Sequence, residues 1–208
     1  MSNRDLEVVV REWVHGWALS RNTPAPVGEP DGYRIDVGLP GHRVRYVLPN
    51  TSTVDDRCAA LTSPGTWLKV CGAPESVPRR WTVGEPEYLM SKDLAGAVNV
   101  AVPGPYHVEV LGEGAVRDVL VRSGNGERAA RGRVAVWGTA AVVDQVVTEP
   151  AHRRRGLGRV VMGELGVLAA ELGALRAVLV ATEDGLGLYG ALGWVVRSPV
   201  TAAHLPEP

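Results

Sequence analysis

Lysine is nearly missing from this 208-residue chain: Lys69 and Lys92 are the only two among 22 basic residues. The arginine excess reads as a bias of genome composition rather than a functional signal. Cysteine is as scarce, and Cys58 and Cys71 have no second pair of metal-ligand residues beside them, which argues against a disulfide framework or a metal site. Both are expected to be reduced, buried small hydrophobes. An excess of charge of one sign is also lacking. With a net charge of −1, bulk electrostatics gives no reason to expect nucleic acid as a partner. No apolar run approaches the roughly 18–20 residues that span a bilayer, and the opening Met1-Ser2-Asn3-Arg4-Asp5 carries no secretory signal. Internal repeats and low-complexity segments are absent as well. The expectation is a cytoplasmic protein without membrane, nucleic-acid or metal partners.

What is present is ordinary for a soluble globular protein, with 45% apolar and 22% charged residues. The length allows one large domain or two small ones. Ser2 can cap a first helix, along which Leu6, Val9, Val10, Trp13 and Trp17 share one face to about residue 19. The tryptophan pair reads as a packing stripe. After a Pro-rich loop at 22–30, residues 33–37 and 43–48 read as two strands joined at Gly38-Leu39-Pro40-Gly41. A helix at 53–61 and a strand at 66–70 follow. Residues 72–86 are rich in Pro, Gly and charge and mark a boundary or long connection. The chain thus divides into an N-terminal α/β region, 1–85, and a second region, 86–208. In the latter, 87–95 reads as a short helix, and strands at 106–111, 116–121 and 133–137 form a meander.

The most informative segment is Arg153-Arg154-Arg155-Gly156-Leu157-Gly158. Before it, residues 140–148 are apolar and β-branched enough for a buried strand. After it, Leu157, Val160, Val161, Leu165, Leu168, Ala169 and Leu172 recur at helical spacing up to Gly173, a C-cap signal. The two glycines let the backbone turn tightly, and the helix start adds about half a positive charge. With three arginines beside it this is a cradle for a pyrophosphate. A solvated charge run is the plainer alternative, but positive charge at a helix start opposes the helix dipole. Further on come a strand at 177–181, a short helix at 183–192 carrying Leu188-Tyr189, then Leu192-Gly193-Trp194 and another strand at 194–198.

Strand, Arg-x-x-Gly-x-Gly, helix, strand, short helix with Leu-Tyr, Leu-Gly-aromatic, strand: this order resembles the GNAT superfamily of acyl-CoA-dependent N-acetyltransferases over residues 105–198. The resemblance implies an α/β protein of α+β type, with a mixed, largely antiparallel central sheet flanked by helices and the N-terminal region as an extension. It implies acetyl-CoA as cosubstrate. Amides of Arg154, Arg155, Gly156, Leu157, Gly158 and Arg159, beside Arg153, would wrap the CoA pyrophosphate. Val146, Val147 and Thr148 would pair with the pantetheine amides where the sheet splays. Tyr189 stands where many such enzymes place the tyrosine that protonates the departing thiolate.

Chemistry asks for more than a cofactor site. A lysine-like amine with a pKa of about 10.4 costs about 4–5 kcal/mol to neutralise at pH 7. A phenol with a pKa of about 10 can protonate a thiolate with little waste of driving force. Tyr189 could instead be a core aromatic. Asp144 is the candidate base or cation-recognising group, with a structural carboxylate as the alternative. A water chain could also serve in place of a dedicated base. Glu149 and His152 read as solvent-facing, and His107 is a weaker candidate.

The chain also departs from the family pattern. Thr182 and Gly185 stand where many members carry Asn and Ala; threonine keeps a hydroxyl for pantetheine or water. The two helices that usually wall the acceptor site are missing from 105–122, and the 53–61 helix is the expected replacement. Little chain remains after 198 for a last strand, so a strand from the N-terminal half is expected to fill that edge. The leading reading is acetyl transfer to a primary amine of a small molecule, by direct attack in a ternary complex. Acetylation of a protein N-terminus or lysine, and a non-catalytic acyl-CoA-binding module, are the alternatives. A homodimer is in keeping with family habit.

Overall fold

The computed structural model describes residues 3–74, 77–98 and 100–207, so a capping role for Ser2 lies outside the described residues. In chain order the elements are helix α1 (Asn3–Arg21), strands β1 (Val27–Glu29), β2 (Gly32–Leu39) and β3 (His42–Leu48), helix α2 (Val54–Ala60), and strands β4 (Thr66–Cys71), β5 (Thr82–Val83) and β6 (Glu87–Asp93). Then come β7 (His107–Leu111), β8 (Val116–Arg122), β9 (Arg128–Trp137), β10 (Ala140–Thr148), a 3-10 turn (Pro150–His152), α3 (Leu157–Glu171), β11 (Arg176–Thr182), α4 (Glu183–Ala191) and β12 (Val195–His204). No helix among the described residues is long and apolar enough to cross a membrane.

All twelve strands belong to one sheet, ordered β1-β2-β3-β4-β12-β6-β11-β10-β9-β8-β7, with β5 beside β12. Two pairs of named strands are parallel, β3 with β4 and β10 with β11. Strand β4 from the N-terminal half pairs with β12 through Val200↔Cys71 to His204↔Trp67, filling the edge that the short C-terminal stretch leaves open. Between β4 and β6, Thr82–Val83 form β5 beside β12.

Alternation along the central strands sets the two layers. Ala141, Val143, Ala177 and Leu179 face α3, which buries Leu157, Val160, Val161 and Leu165 against them. Val142 and Val178, one residue out of phase, face α1 with Val9, Val10, Trp13, Val14 and Trp17. The approach is close because α1 carries Gly16 there: a Cβ at that position would lie 2.4 Å from Val142 Cγ2 and 2.8 Å from its Cβ. A third cluster of Leu48, Val54, Cys58, Leu68, Val70 and Trp81 sits under α2 on the face opposite α1. Cys58 and Cys71 are both buried, in separate clusters on the two faces of the sheet.

Two sequence-based assignments need correction. Residues 87–95 were predicted to be helical, but Glu87–Asp93 is a central strand paired with β11 on one side and β12 on the other. Being covered on both faces it carries adjacent apolar residues, Leu89 toward α1 and Met90 toward α3, which mimic a helical run. Strand β12 runs ten residues to His204, past Pro199, instead of ending at 198. A register shift between Val196 and Ser198 precedes that proline; pairing with β6 continues through Pro199 to Val200, where pairing with β4 begins.

Candidate active site

Strands β10 and β11 pair in parallel only over Ala140–Val142 and Arg176–Val178. Beyond that point β10 follows β9 and β11 follows β6 to Thr182, so the two part. A bulge between Asp144 and Val147, with Gln145 in the left-handed region at φ 55°, bends β10 further away. The gap holds a cavity of about 290 Å³. Val143–Val146, Leu179–Thr182 and Tyr189 line it at the parted strands, and Trp13, Trp17, Arg21, Arg45, Lys69 and Glu87 line it on the α1 side.

The residues singled out from sequence fall into two groups. Tyr189, Asp144, Val146 and Thr182 line this cavity. Val147 and Thr148 lie just past it on β10, and Arg153 to Arg159 lie beyond, around the start of α3. Gly156 is the N-cap there at φ 78°, a left-handed conformation that favours glycine, and Arg154 before it sits at φ 62°. No side chain caps this helix and its first turn has no acidic residue. The amides of Arg159 and Val160 turn back to the Gly156 carbonyl. Leu157 is buried in the core, and Gly158 packs beside Leu188, whose Cδ2 a Cβ would meet at 3.0 Å. Arg153 Nε donates to the Thr148 carbonyl at 3.3 Å, and Arg155 Nη1 to Tyr106 Oη at 2.8 Å. His152 pairs with that same hydroxyl through Nδ1 at 3.0 Å, and Glu149 forms an ion pair with Arg128 at 3.0 Å.

Tyr189 projects from α4 with its ring centroid 6.1 Å from that of Trp194. Gly185 makes room for it: a Cβ there would come within 2.7 Å of Tyr189 Cε2. Burial, reinforced by the negative charge of Asp144, pushes the Tyr189 phenol up to about 12, so it stays protonated at neutral pH. Asp144 has many partners. Arg21 grips it in bidentate fashion, Nε to Oδ2 at 2.5 Å and Nη2 to Oδ1 at 2.8 Å. Ser20 Oγ donates to Oδ2 at 2.5 Å and the Gln145 amide to Oδ1 at 2.8 Å. Burial alone would raise its pKa, but the Arg21 and Ser20 bonds prevail and hold the carboxyl below its ordinary value.

The wall opposite the parted strands is not the one expected. Helix α2 packs away from the cavity, on the other face of the sheet, and α1 lines it instead. Trp13 and Trp17 are indeed packing residues, and they are cavity walls too. Arg45 and Lys69 belong to no local motif, because β3 and β4 are far in sequence from the glycine turn. The available signal was a charge at an inward position of an apolar strand, Val44-Arg45-Tyr46-Val47 and Leu68-Lys69-Val70. Lys69 is ion-paired with Glu87. Burial lowers the Lys69 ammonium to about 8 against the opposing pull of Glu87, and lowers Arg45 to about 10.

A mixed sheet whose central strands part beside a glycine-started helix is the arrangement of the GNAT fold, and this chain has that fold. Among solved structures it is similar over 98% of its length to a GCN5-related N-acetyltransferase from Kribbella flavida, of which it covers 96%, with TM-score 0.65 and 18% identity. A protein from Novosphingobium aromaticivorans described as a GNAT-family acetyltransferase gives TM-score 0.64 at 20% identity, with 96% of this chain and 99% of that one covered. A functionally unknown conserved protein from Staphylococcus epidermidis gives 0.61 at 8% identity, covering 100% and 98%. No family model matches the sequence, and no curated protein matches it either.

Proposed function

We propose that the chain is an acetyl-CoA-dependent N-acetyltransferase whose acceptor is a small-molecule primary amine. The observation that carries this reading is the parting of β10 from β11 beyond Val142 and Val178, with Tyr189 at the gap. The residues present suit the cosubstrate. Past Val142 the edge of β10 toward β11 has no strand partner, so those main-chain groups of the 146–148 stretch that face this edge can take up amides. The uncapped start of α3, with Gly156 in the left-handed region, offers amide donors from Arg154 to Gly158 to a diphosphate, the Arg159 amide being taken by the Gly156 carbonyl, and Arg153 to Arg155 add charge.

Acetyl-CoA, when bound, supplies an electrophilic thioester carbonyl and a thiolate that must leave. Tyr189 holds a proton at Oη and delivers it to that sulfur as the C–S bond breaks and the N–C bond forms. Asp144 is a weak base in its grip of Arg21 and Ser20, so it anchors Arg21 at the cavity wall instead of taking the amine proton. The amine proton leaves through water in the cavity. Thr182, at the end of β11, lines the same space.

Calorimetry with acetyl-CoA, and thiol release with a panel of amines, test the reading. Binding with turnover is expected. Tyr189→Phe should lower kcat by about 100-fold while leaving acetyl-CoA affinity within about twofold. Binding without turnover would make the chain a binding module, and no binding would end the proposal.

A further inference from the structure

The cavity carries three cations, Arg21, Arg45 and Lys69, against two carboxylates, Asp144 and Glu87. Asp144 takes Arg21 and Glu87 takes Lys69. Arg45 is left over. It is 8% exposed, its Nε is buried with no hydrogen-bond partner, and its guanidinium forms no ion pair or hydrogen bond with any other described residue, Glu87 and Asp144 attracting it only from a distance. Its neighbour is the face of Trp17, 4.1 Å from Arg45 Cζ to the ring centroid. The indole offsets part of the cost of taking a cation out of water, and it also holds the guanidinium plane in place. Register puts the group there: Arg45 pairs with Trp67 on β4, and the next inward pair is Val47↔Lys69, so both cations point to the α1 face. The α3 start lies on the opposite face, remote from this wall.

Resting on the acetyltransferase reading, we infer that Arg45 is an acceptor-recognition residue and that the acceptor is an amine bearing a carboxylate, an amino acid or a close analogue. One uncompensated positive charge matches a monoanion better than a phosphate dianion, and the planar guanidinium matches a carboxylate in bidentate geometry. A cavity of about 290 Å³ holds a small molecule with its amine toward Tyr189 and its carboxylate on Arg45. A lysine or N-terminus within a polypeptide carries an amide at that position and leaves Arg45 unpaired.

The test compares L-amino acids, each with its own amide and its decarboxylated amine, by thiol release at fixed ionic strength. The carboxylate form of at least one is expected to exceed both partners in kcat/KM by about 100-fold. Arg45→Met should reduce that ratio below about tenfold, with Arg45→Lys in between and acetyl-CoA affinity kept in both. Equal rates for amide and acid in the wild type, or an undiminished ratio in a folded Arg45→Met, would overturn the inference while leaving the acetyltransferase intact. If no amine is turned over, the thermal midpoint decides. A rise with amino acids but not their amides, lost in Arg45→Met, keeps the carboxylate site without the enzyme; no rise in the wild type overturns it.

Discussion

Tyr189 and Asp144 show how a residue's chemistry is set by neighbours that sequence does not reveal. The tyrosine was legible from its place after Leu188 and before Leu192-Gly193-Trp194. Its raised pKa was not, since that depends on burial and on Asp144, 45 positions earlier. The space for its ring comes from Gly185, so the glycine that departs from the family pattern has a steric role. His42 is another example. Burial, then the charges of Arg45, Arg21 and Lys69, lower its imidazole to about 4, and it lies between the Trp17 and Trp67 rings. The unfolded chain therefore takes up a proton near pH 6.5 that the native state refuses until about 4. Stability from this group is complete above about pH 6.5 and is lost as pH falls toward 4. Urea midpoints at pH 7.5 and 5.0 should drop less in His42→Gln than in the wild type.

At the scale of elements, α1 and α3 have different tasks. Helix α1 closes the face of the sheet on which the cavity lies, and its fit depends on Gly16 against Val142. Gly16→Ala should therefore destabilise by about 1–3 kcal/mol through overpacking, although alanine in a helix is ordinarily favourable by about 1 kcal/mol; chemical denaturation measures the sign. Helix α3 opens at Gly156, where nothing crowds a Cβ but φ is 78°. Gly156→Val should weaken acetyl-CoA binding by about tenfold or more in calorimetry, because a β-branched residue resists that backbone conformation. The start of α3 was legible because its signals are local: a glycine, an arginine run and a helical period. The strand β6 was not, because a strand buried on both faces lacks alternation. The wall of the cavity was assigned to the wrong helix for a related reason, since an amphipathic stripe says that a face is buried but not against what.

For the whole molecule, β4 joins β12, and α1 packs across β9, β10 and β11, so residues 1–85 and 86–208 share a sheet and a core. We propose that the two regions fold as one cooperative unit. Tryptophan emission and far-UV circular dichroism should then trace a single coincident unfolding transition, and two resolved transitions would divide the chain near residues 72–86. The cavity itself is a product of this union. Its Tyr189, Thr182 and Asp144 come from the second region, and its Trp17, Arg21, Arg45 and Lys69 from the first.

Sequence alone determined the segment proposed to hold the cofactor: strand, glycine turn, helix and tyrosine lie within some fifty residues, and short-range backbone geometry ties them together. Only the tertiary structure decided the far wall of the cavity. Arg45, Lys69, Glu87 and Trp17 stand on four separate elements, and strand order and register, set by burial on both faces of a twelve-stranded sheet, bring them to one wall.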